Sequence, residues 1–252
     1  MTDHLPALPE NWDRCLAVAA HPDDIEYGTA SAVARWTAQG KRITYLLATR
    51  GEAGIDGMHP DQAGPLREAE ERAGAREVGV DVVEFLDHRD GVVEYGPALR
   101  RDIVRAIRRH RPEIVVSGAY TVRMVGGRPN QADHREVGLA VLDAARDAGN
   151  RWIFPELVDE GLEPWGGVRF VAYAGAERPT HGVDVTGEPL RRGILSLAAH
   201  AEYTKGLGAA GFDPAPFLTW MAQQGGRALG VETAVLFDVF ELIPAGPPPW
   251  LA

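Results

Sequence analysis

Residues 16–24 read LAVAAHPDD, an apolar run that leads directly into a histidine, a proline and two aspartates. A helical pattern follows at once, so the stretch has the form of a buried strand that ends in polar side chains before a helix. Charged groups are rarely buried unless they are paired or bound to a metal. The stretch therefore predicts a functional site at the carboxyl end of a strand.

His21 and Asp24 are side chains of the types that bind Zn²⁺, and a catalytic zinc site usually has three protein ligands and one open position. Asp23 is left for proton transfer beside the metal. Pro22 restricts the backbone and helps to set the directions of its neighbours. The alternative is that one aspartate only caps the next helix, although a cap requires no histidine.

A third ligand has to come from another part of the chain, and His134 is the best candidate. It follows the fourth apolar strand signal, at 114–117, after a loop that contains glycines, and it opens a helical pattern. The first and fourth strands of a parallel sheet can bring their carboxyl ends to one edge, where ligands bind. Helix capping by the Asp133-His134 pair is the alternative, and His59 in the 51–64 loop is a weaker ligand candidate.

Apolar runs and helical patterns alternate through the first 150 residues, which is typical of βαβ units with a parallel sheet. The runs lack strict alternation, as expected of strands covered on both faces. The sequence predicts a Rossmann-like three-layer α/β/α fold with a mostly parallel sheet. The predicted strands are 14–20, 42–49, 82–87 and 113–119, and the predicted helices are 27–39, 65–78, 97–110 and 134–148.

After residue 150, segments punctuated by proline and glycine predict strands at 169–174, 183–185 and 233–242, a helix at 188–206 and an extended tail at 244–249. We expect one domain over 1–252, with a core at 1–150 and a substrate-side portion at 151–252. Four aromatic side chains of this portion either line a pocket for a bulky ligand group or pack in the interior, and packing is the simpler interpretation: Trp152, Trp165, Phe217 and Trp220.

The net charge of −10 argues against nucleic acid or an anionic membrane as the main partner. The arginines at 100–111 share their helix with apolar residues at 103, 104 and 107, so they predict a solvated helix face. No apolar run approaches the roughly 18 residues of a membrane span, and residues 1–12 do not have the pattern of a secretory signal. The single cysteine, Cys15, excludes an internal disulfide, and these features favour the cytoplasm.

The AHPDD stretch at 20–24, combined with Asp133-His134, resembles the LmbE/PIG-L family of zinc-dependent N-acetylglucosaminyl deacetylases. The likeness includes TRGEAG at 49–54, Arg67-Glu68 and Asp90-Gly91, and it covers about the first 150 residues. The resemblance implies zinc as cofactor and a small amino-sugar conjugate as substrate. The roles that it implies are zinc ligands for His21, Asp24 and His134, general base for Asp23, and substrate contacts for Arg67, Asp90 and Glu52, the last of which lies on a loop near the site.

One position departs from the family pattern. The second motif of the family often reads His-Pro-Asp-His, and its first histidine steadies the oxyanion, whereas this chain has Gln131 at that place. An amide still donates a hydrogen bond but carries no charge, and the loss of a good donor costs on the order of 100-fold or more in rate. Tyr120 or His200 is an alternative donor.

The expected function is removal of the acetyl group from an N-acetylglucosamine-type conjugate. Cleavage of another amide in a natural-product or thiol-sugar conjugate is an alternative, as is a zinc-binding protein with weak or no catalysis. A dinucleotide-dependent oxidoreductase is a weaker hypothesis, because the GLGAAG run at 206–211 follows a predicted helix instead of a strand. A homo-oligomer is compatible with the sequence.

Overall fold

The computed structural model describes residues 4–208 and 211–243, and within them seven strands form one sheet. The strands are β1 (Arg14–Ala19), β2 (Arg42–Leu47), β3 (Val82–Phe85), β4 (Ile114–Gly118), β5 (Phe170–Ala174), β6 (His181–Asp184) and β7 (Ala234–Glu241). Their order is β3-β2-β1-β4-β5-β7-β6, and all pairs from β3 to β5 are parallel. Strand β7 is antiparallel to β5 and β6.

Helices cover both faces of the sheet. They are α1 (Asp24–Gly28), α2 (Ala30–Ala38), α3 (Pro60–Glu77), α4 (Pro97–His110), α5 (Ala132–Asp147), α6 (Glu156–Asp159), α7 (Glu188–Ala198), α8 (Ala201–Gly206) and α9 (Pro214–Leu229). One apolar core joins the sheet to side chains of α2, α3 and α9, and a second joins it to α4 and α5. The predicted three-layer fold with a mostly parallel sheet is confirmed.

Helix boundaries follow local chemistry. Helix α4 spans the predicted residues, because Pro97 suits a first turn and apolar positions recur along one face. The predicted helix at 27–39 is interrupted at Thr29, whose backbone leaves helical geometry, and the one at 188–206 is interrupted before α8, at His200. Helix α3 begins at Pro60 instead of residue 65, with His59 as its N-cap, so the preceding loop is shorter than predicted.

Two further expectations require correction. Helix α9 has no counterpart among the predicted elements, although Asp213 caps it and Gly230 ends it in the left-handed conformation. The arginines of α4 are not simply a solvated face: Arg108 is buried and donates to four backbone carbonyls, and Arg100 pairs with Asp147. The predicted tail at 244–249 lies outside the described residues.

The carboxyl ends of the parallel strands define the edge at which the site lies. The chain runs from β1 outward to β2 and β3, then returns to β4 on the other side of β1. Such a reversal leaves a crevice beside the strand ends, where α/β proteins bind ligands. Among the described residues, no helix is both long and apolar enough to span a membrane.

Candidate active site

The turn after β1 directs two consecutive carboxylates to different partners. Asp23 has a left-handed backbone, with φ of 84°, an uncommon conformation that aspartate tolerates better than most residues. The Asp24 carboxylate accepts from the backbone N–H of His21 at 2.8 Å and faces His134. The Asp23 carboxylate instead faces Arg67.

His21, Asp24 and His134 form a group whose candidate ligand atoms all lie within 4.8 Å of one another. The His21 Nδ1 atom is 3.4 Å from Asp24 Oδ2, and the His134 Nε2 atom is 3.0 Å from Asp24 Oδ1. Zinc–ligand bonds of about 2.0–2.2 Å place neighbouring ligand atoms roughly 3–3.6 Å apart, so the two measured spacings fit a bound ion. Two imidazoles and one carboxylate are also a donor set that zinc accepts.

The far nitrogen of His21 is held by two further carboxylates. Its Nε2 atom lies 3.0 Å from Asp90 Oδ1 and 3.2 Å from Asp133 Oδ2. Asp133 is fully buried and also accepts from the backbone N–H groups of Gly91 and Val93. A proton on Nε2 satisfies these carboxylates and leaves the Nδ1 lone pair for a metal, which is the usual arrangement around ligating histidines.

The far nitrogen of His134 has a comparable partner. Its Nδ1 atom is 3.1 Å from Asn130 Oδ1. The amide nitrogen of Asn130 donates to the carbonyls of Ala119 and Thr121, which determines which end of the amide faces the histidine. Because Asn130 presents an acceptor, His134 carries its proton on Nδ1 and directs the Nε2 lone pair toward Asp24.

The electrostatics of this edge favour positive charge. Burial disfavours a charged imidazole, yet the surrounding carboxylates raise the pKa of His21 to about 12. Burial also raises the pKa of Asp24, but the neighbouring His134 and His21 outweigh it and hold that pKa well below its usual range. A site that stabilises an imidazolium so strongly provides the negative potential that a divalent cation requires.

Asp23 is buried beside the three candidate ligands. Its carboxylate accepts from Arg67 at 3.2 Å, and its backbone N–H donates to Glu71. Burial raises the pKa of Asp23 well above its usual range, although Arg67 opposes the shift. The Arg67 guanidinium is nearly inaccessible, donates to the carbonyls of Pro22 and Gly51, and stacks on the Tyr203 ring.

A second buried group lies behind the turn. Glu26, Glu71 and His200 are inaccessible to solvent, with His200 Nε2 at 3.8 and 3.7 Å from the two carboxylates. Burial raises the pKa of Glu26 to about 8 and that of Glu71 well above its usual range, and it lowers the pKa of His200 to about 3. His200 is therefore uncharged near neutral pH, burial favours the protonated form of both carboxyl groups, and Glu71 also accepts the backbone N–H of Asp23.

A family model described as PIG-L, GlcNAc-PI de-N-acetylase, matches residues 16–145, more than half of the chain and all four of the central residues His21, Asp23, Asp24 and His134. The chain belongs to the PIG-L family.

Two curated members of the PIG-L family show how far the similarity reaches. The chain is 29% identical over 175 residues to the diacetylchitobiose deacetylase of Thermococcus kodakarensis, a match that covers 69% of this chain and 64% of that protein. It is 29% identical over 231 residues to a 1D-myo-inositol 2-acetamido-2-deoxy-alpha-D-glucopyranoside deacetylase of Geodermatophilus obscurus, covering 81% and 72%. The chain thus spans less than two thirds of the first relative.

A solved structure shows the same fold over almost the whole chain. The N,N'-diacetylchitobiose deacetylase of Pyrococcus horikoshii superposes with a TM-score of 0.80 at 20% sequence identity. The superposition covers 94% of this chain and 88% of that chain. At 20% identity the superposition shows that the two proteins share a fold. The reaction has to be inferred from the residues of the site.

The residues predicted from the PIG-L resemblance to contact a sugar have protein partners here. Arg67 holds Asp23, and Asp90 faces His21 while it accepts from the backbone N–H of Ala53. Glu52 is half-buried and accepts from the backbone N–H of Asp90. Asp90 is half-buried like Glu52, whereas Arg67 is buried, and the three substrate contacts stay predictions.

Gln131 has the place predicted for the oxyanion donor but also a local structural role. Its side-chain oxygen accepts from the backbone N–H of His134 and so caps α5, which leaves the amide N–H₂ as the group that can donate. The two alternative donors, Tyr120 and His200, have no contact with a candidate ligand comparable to that of Gln131 with His134. The ring of Tyr120 packs against Tyr173 and Phe240, and His200 belongs to the buried group behind the turn.

Sequence reasoning did not identify the outer partners of the histidines. Asn130 stands four residues before His134, and Asp133 directly before it, so a search for polar neighbours of each ligand would have named both. The Glu71 contact has no such signal, because it depends on how α3 packs against the turn. His59 is exposed and caps α3, and it belongs to none of the candidate metal groups of the described residues.

Proposed function

We propose that this protein is a zinc-dependent hydrolase that removes the acetyl group from an N-acetylglucosamine-type conjugate. The observation that carries the proposal is the convergence of His21, Asp24 and His134 on one point, with the buried carboxylate of Asp23 beside them. Membership of the PIG-L family and the two curated deacetylases support the same reaction.

Zinc held by His21, Asp24 and His134 would act as a Lewis acid. It would make water a stronger acid, so that water could lose a proton near neutral pH, and it would polarise a carbonyl oxygen. Asp133 and Asn130 keep the protons of the two imidazoles on their far nitrogens. Both ligands are therefore presented in the tautomer that binds a cation.

Asp23 is the proton carrier of the proposed reaction. It accepts a proton as water attacks the acetyl carbonyl carbon, and it passes this proton to the nitrogen as the C–N bond breaks, so that acetate and a free amine leave. Burial favours uptake of the proton, and Arg67 holds the carboxylate in place. The Gln131 amide is the proposed donor to the oxyanion.

Replacement of the carrier tests the mechanism. In zinc-loaded protein, Asp23→Asn should lower kcat for acetate release by about 10²–10⁴-fold, because the amide accepts no proton, while bound zinc is unchanged. Asp24→Asn should instead lose zinc, and the exposed Asp159→Asn in α6 should affect neither property. The substrates are diacetylchitobiose and N-acetylglucosaminyl-inositol, with mass spectrometry of the product and metal analysis as measurements.

The same assay separates the alternatives. Zinc-loaded wild-type protein that releases no acetate from any N-acetylglucosaminide would contradict the proposal and favour a zinc-binding protein without catalysis. Equal activity of Asp23→Asn and wild type would remove Asp23 from the mechanism.

The substrate class, the cellular compartment, the partners and the domain organisation are also proposals. A small amino-sugar conjugate is the proposed substrate, and the buried, unpaired Cys15 is consistent with a reducing compartment such as the cytoplasm. That the protein acts without nucleic acid or a membrane, that a homo-oligomer is possible, and that 1–252 is one domain with a substrate-side portion at 151–252 all remain predictions.

A further inference from the structure

A cavity of about 550 Å³ opens at the candidate metal centre, and Asp24 and His134 are both part of its wall. Much of the remaining wall lies between the sheet and α9, and it includes residues of β1, β4, β5 and β7. These four strands are consecutive neighbours in the sheet. At about 4.8 Å between strands the wall extends for roughly 14 Å, and we call this cavity the slot.

Small side chains leave the space that the slot occupies. Ala17, Ala19 and Ala174 line it on the sheet, and Gly28 lines it at the end of α1. A methyl group at Gly28 would already touch Ala174, at 3.4 Å. These small residues leave room beside the sheet for an apolar group.

Large apolar side chains surround the slot and are exposed. Tyr27, Val125, Phe217 and Trp220 line it and are between 40% and 56% exposed. The rings of Tyr27 and Phe217 contact each other edge to face, with centroids 6.0 Å apart. A group of exposed apolar residues that leads to a candidate catalytic centre indicates a binding surface for an apolar ligand.

The position of the slot determines which part of a substrate it accepts. Arg67, Asp90 and Glu52, the predicted sugar contacts, are all absent from its wall. The wall is mostly apolar, although it also includes polar side chains such as Arg128 and Gln224. A sugar whose hydroxyl groups faced the apolar part of this wall would leave them without partners, which is costly. If the sugar lies on the side of Glu52 and Asp90, the slot is left for the acyl side of the scissile amide.

We infer that this enzyme hydrolyses N-acyl amino sugars whose acyl group is an aliphatic chain longer than acetyl, with the chain bound in the slot. The inference rests on the proposed function, which supplies the hydrolytic centre. Water adds to the acyl carbon, the C–N bond breaks, the nitrogen receives the proton, and a fatty carboxylate and a free amino sugar are released.

A series of substrates with one sugar and different acyl chains tests the inference. Zinc-loaded wild-type protein is assayed on N-acetyl-, N-butyryl-, N-hexanoyl-, N-octanoyl- and N-decanoylglucosamine, and on the octyl glycoside of N-acetylglucosamine. We expect kcat/KM to rise by about fourfold for each added methylene until the slot is full, because each buried methylene contributes a similar increment of apolar transfer.

Two variants of α9 provide a matched comparison. Met221 is half-buried in the wall of the slot, whereas Gln223, two residues further on, is exposed and outside it. Met221→Trp should lower the ratio of octanoyl to acetyl kcat/KM by about tenfold or more, because the indole fills the space of the chain. Gln223→Trp should leave both values as in wild type.

The outcomes separate the two proposals. Release of acetate with a rate that falls as the chain lengthens overturns the inference and leaves the proposed function standing. Faster cleavage of the octyl glycoside without a gain from longer acyl chains also overturns it, since the slot then holds the aglycone. Absence of cleavage for every substrate, acetyl included, contradicts the proposed function itself.

Discussion

At the scale of single residues, the candidate site is a set of histidines whose tautomers are determined by neighbours. His21 lies between Asp24 on one nitrogen and the Asp90–Asp133 pair on the other, and His134 lies between Asp24 and Asn130. Each imidazole thus has one nitrogen for its proton and one for a cation. Substitution of a residue that holds the far nitrogen of either histidine should therefore weaken metal binding.

Replacement of Asn130 is the corresponding prediction. Asn130→Ala should weaken zinc binding by about 10–100-fold, because His134 loses the acceptor that holds its ring and tautomer. Asn130→Asp, which retains an acceptor oxygen, should bind zinc more tightly than the alanine variant. The measurement is competition with a chelator, together with a thermal unfolding curve.

Asn150 offers a control for this prediction, because within residues 4–208 and 211–243 its side chain accepts only a local backbone N–H, that of Trp152. Asn150→Ala should bind zinc as wild type does. A folded Asn130→Ala protein with unchanged zinc affinity would show that the His134 ring is held by other means.

At the scale of elements, the close approach of α5 to β4 brings His134 to the edge of the sheet. A Cβ atom at Gly138 in α5 would lie 2.8 Å from the carbonyl oxygen of Gly118 and 2.9 Å from the Tyr120 Cβ. Only glycine fits such a contact without displacement of the helix. The sequence shows the glycine, but the reason for it is visible only once the two elements are packed together.

Gly138→Ala should therefore reduce the free energy of unfolding by about 1–3 kcal/mol, because the methyl group overpacks the α5–β4 contact. Gly57→Ala is the control: apart from its chain neighbours, no heavy atom of the described residues lies within 4 Å of its added Cβ, so we expect a neutral effect or a gain of up to about 1 kcal/mol. Urea unfolding of both variants measures the difference. Equal stability of the two would show that α5 shifts at little cost.

At the scale of the whole molecule, a bound metal would connect distant parts of the chain. His21 lies two residues after β1, Asp24 begins α1 and His134 lies in the first turn of α5, 113 positions after His21. An ion that binds all three in the folded state, and not the unfolded chain, stabilises the fold by mass action.

Removal of zinc should accordingly lower the stability of the protein. Free zinc at about 100 times its dissociation constant should add about 2.7 kcal/mol to the free energy of unfolding, relative to protein in a chelator. Thermal or urea unfolding at several zinc concentrations measures the change, and Asp24→Asn should show almost no dependence on zinc. A wild-type curve that is indifferent to zinc would argue against a metal shared by the three residues.

The layered fold could be predicted from the amino-acid sequence, because buried strands and amphipathic helices such as α4 show their periodicity in the local order of residues. It also indicated the AHPDD turn, because polar groups at the end of an apolar strand need a partner. Three features became visible only in the folded chain: Asp90 and Asp133 meet at His21, Arg67 contacts Asp23, and α9 forms the slot with the sheet. These contacts join residues far apart in the chain, and local periodicity carries no information about such distances.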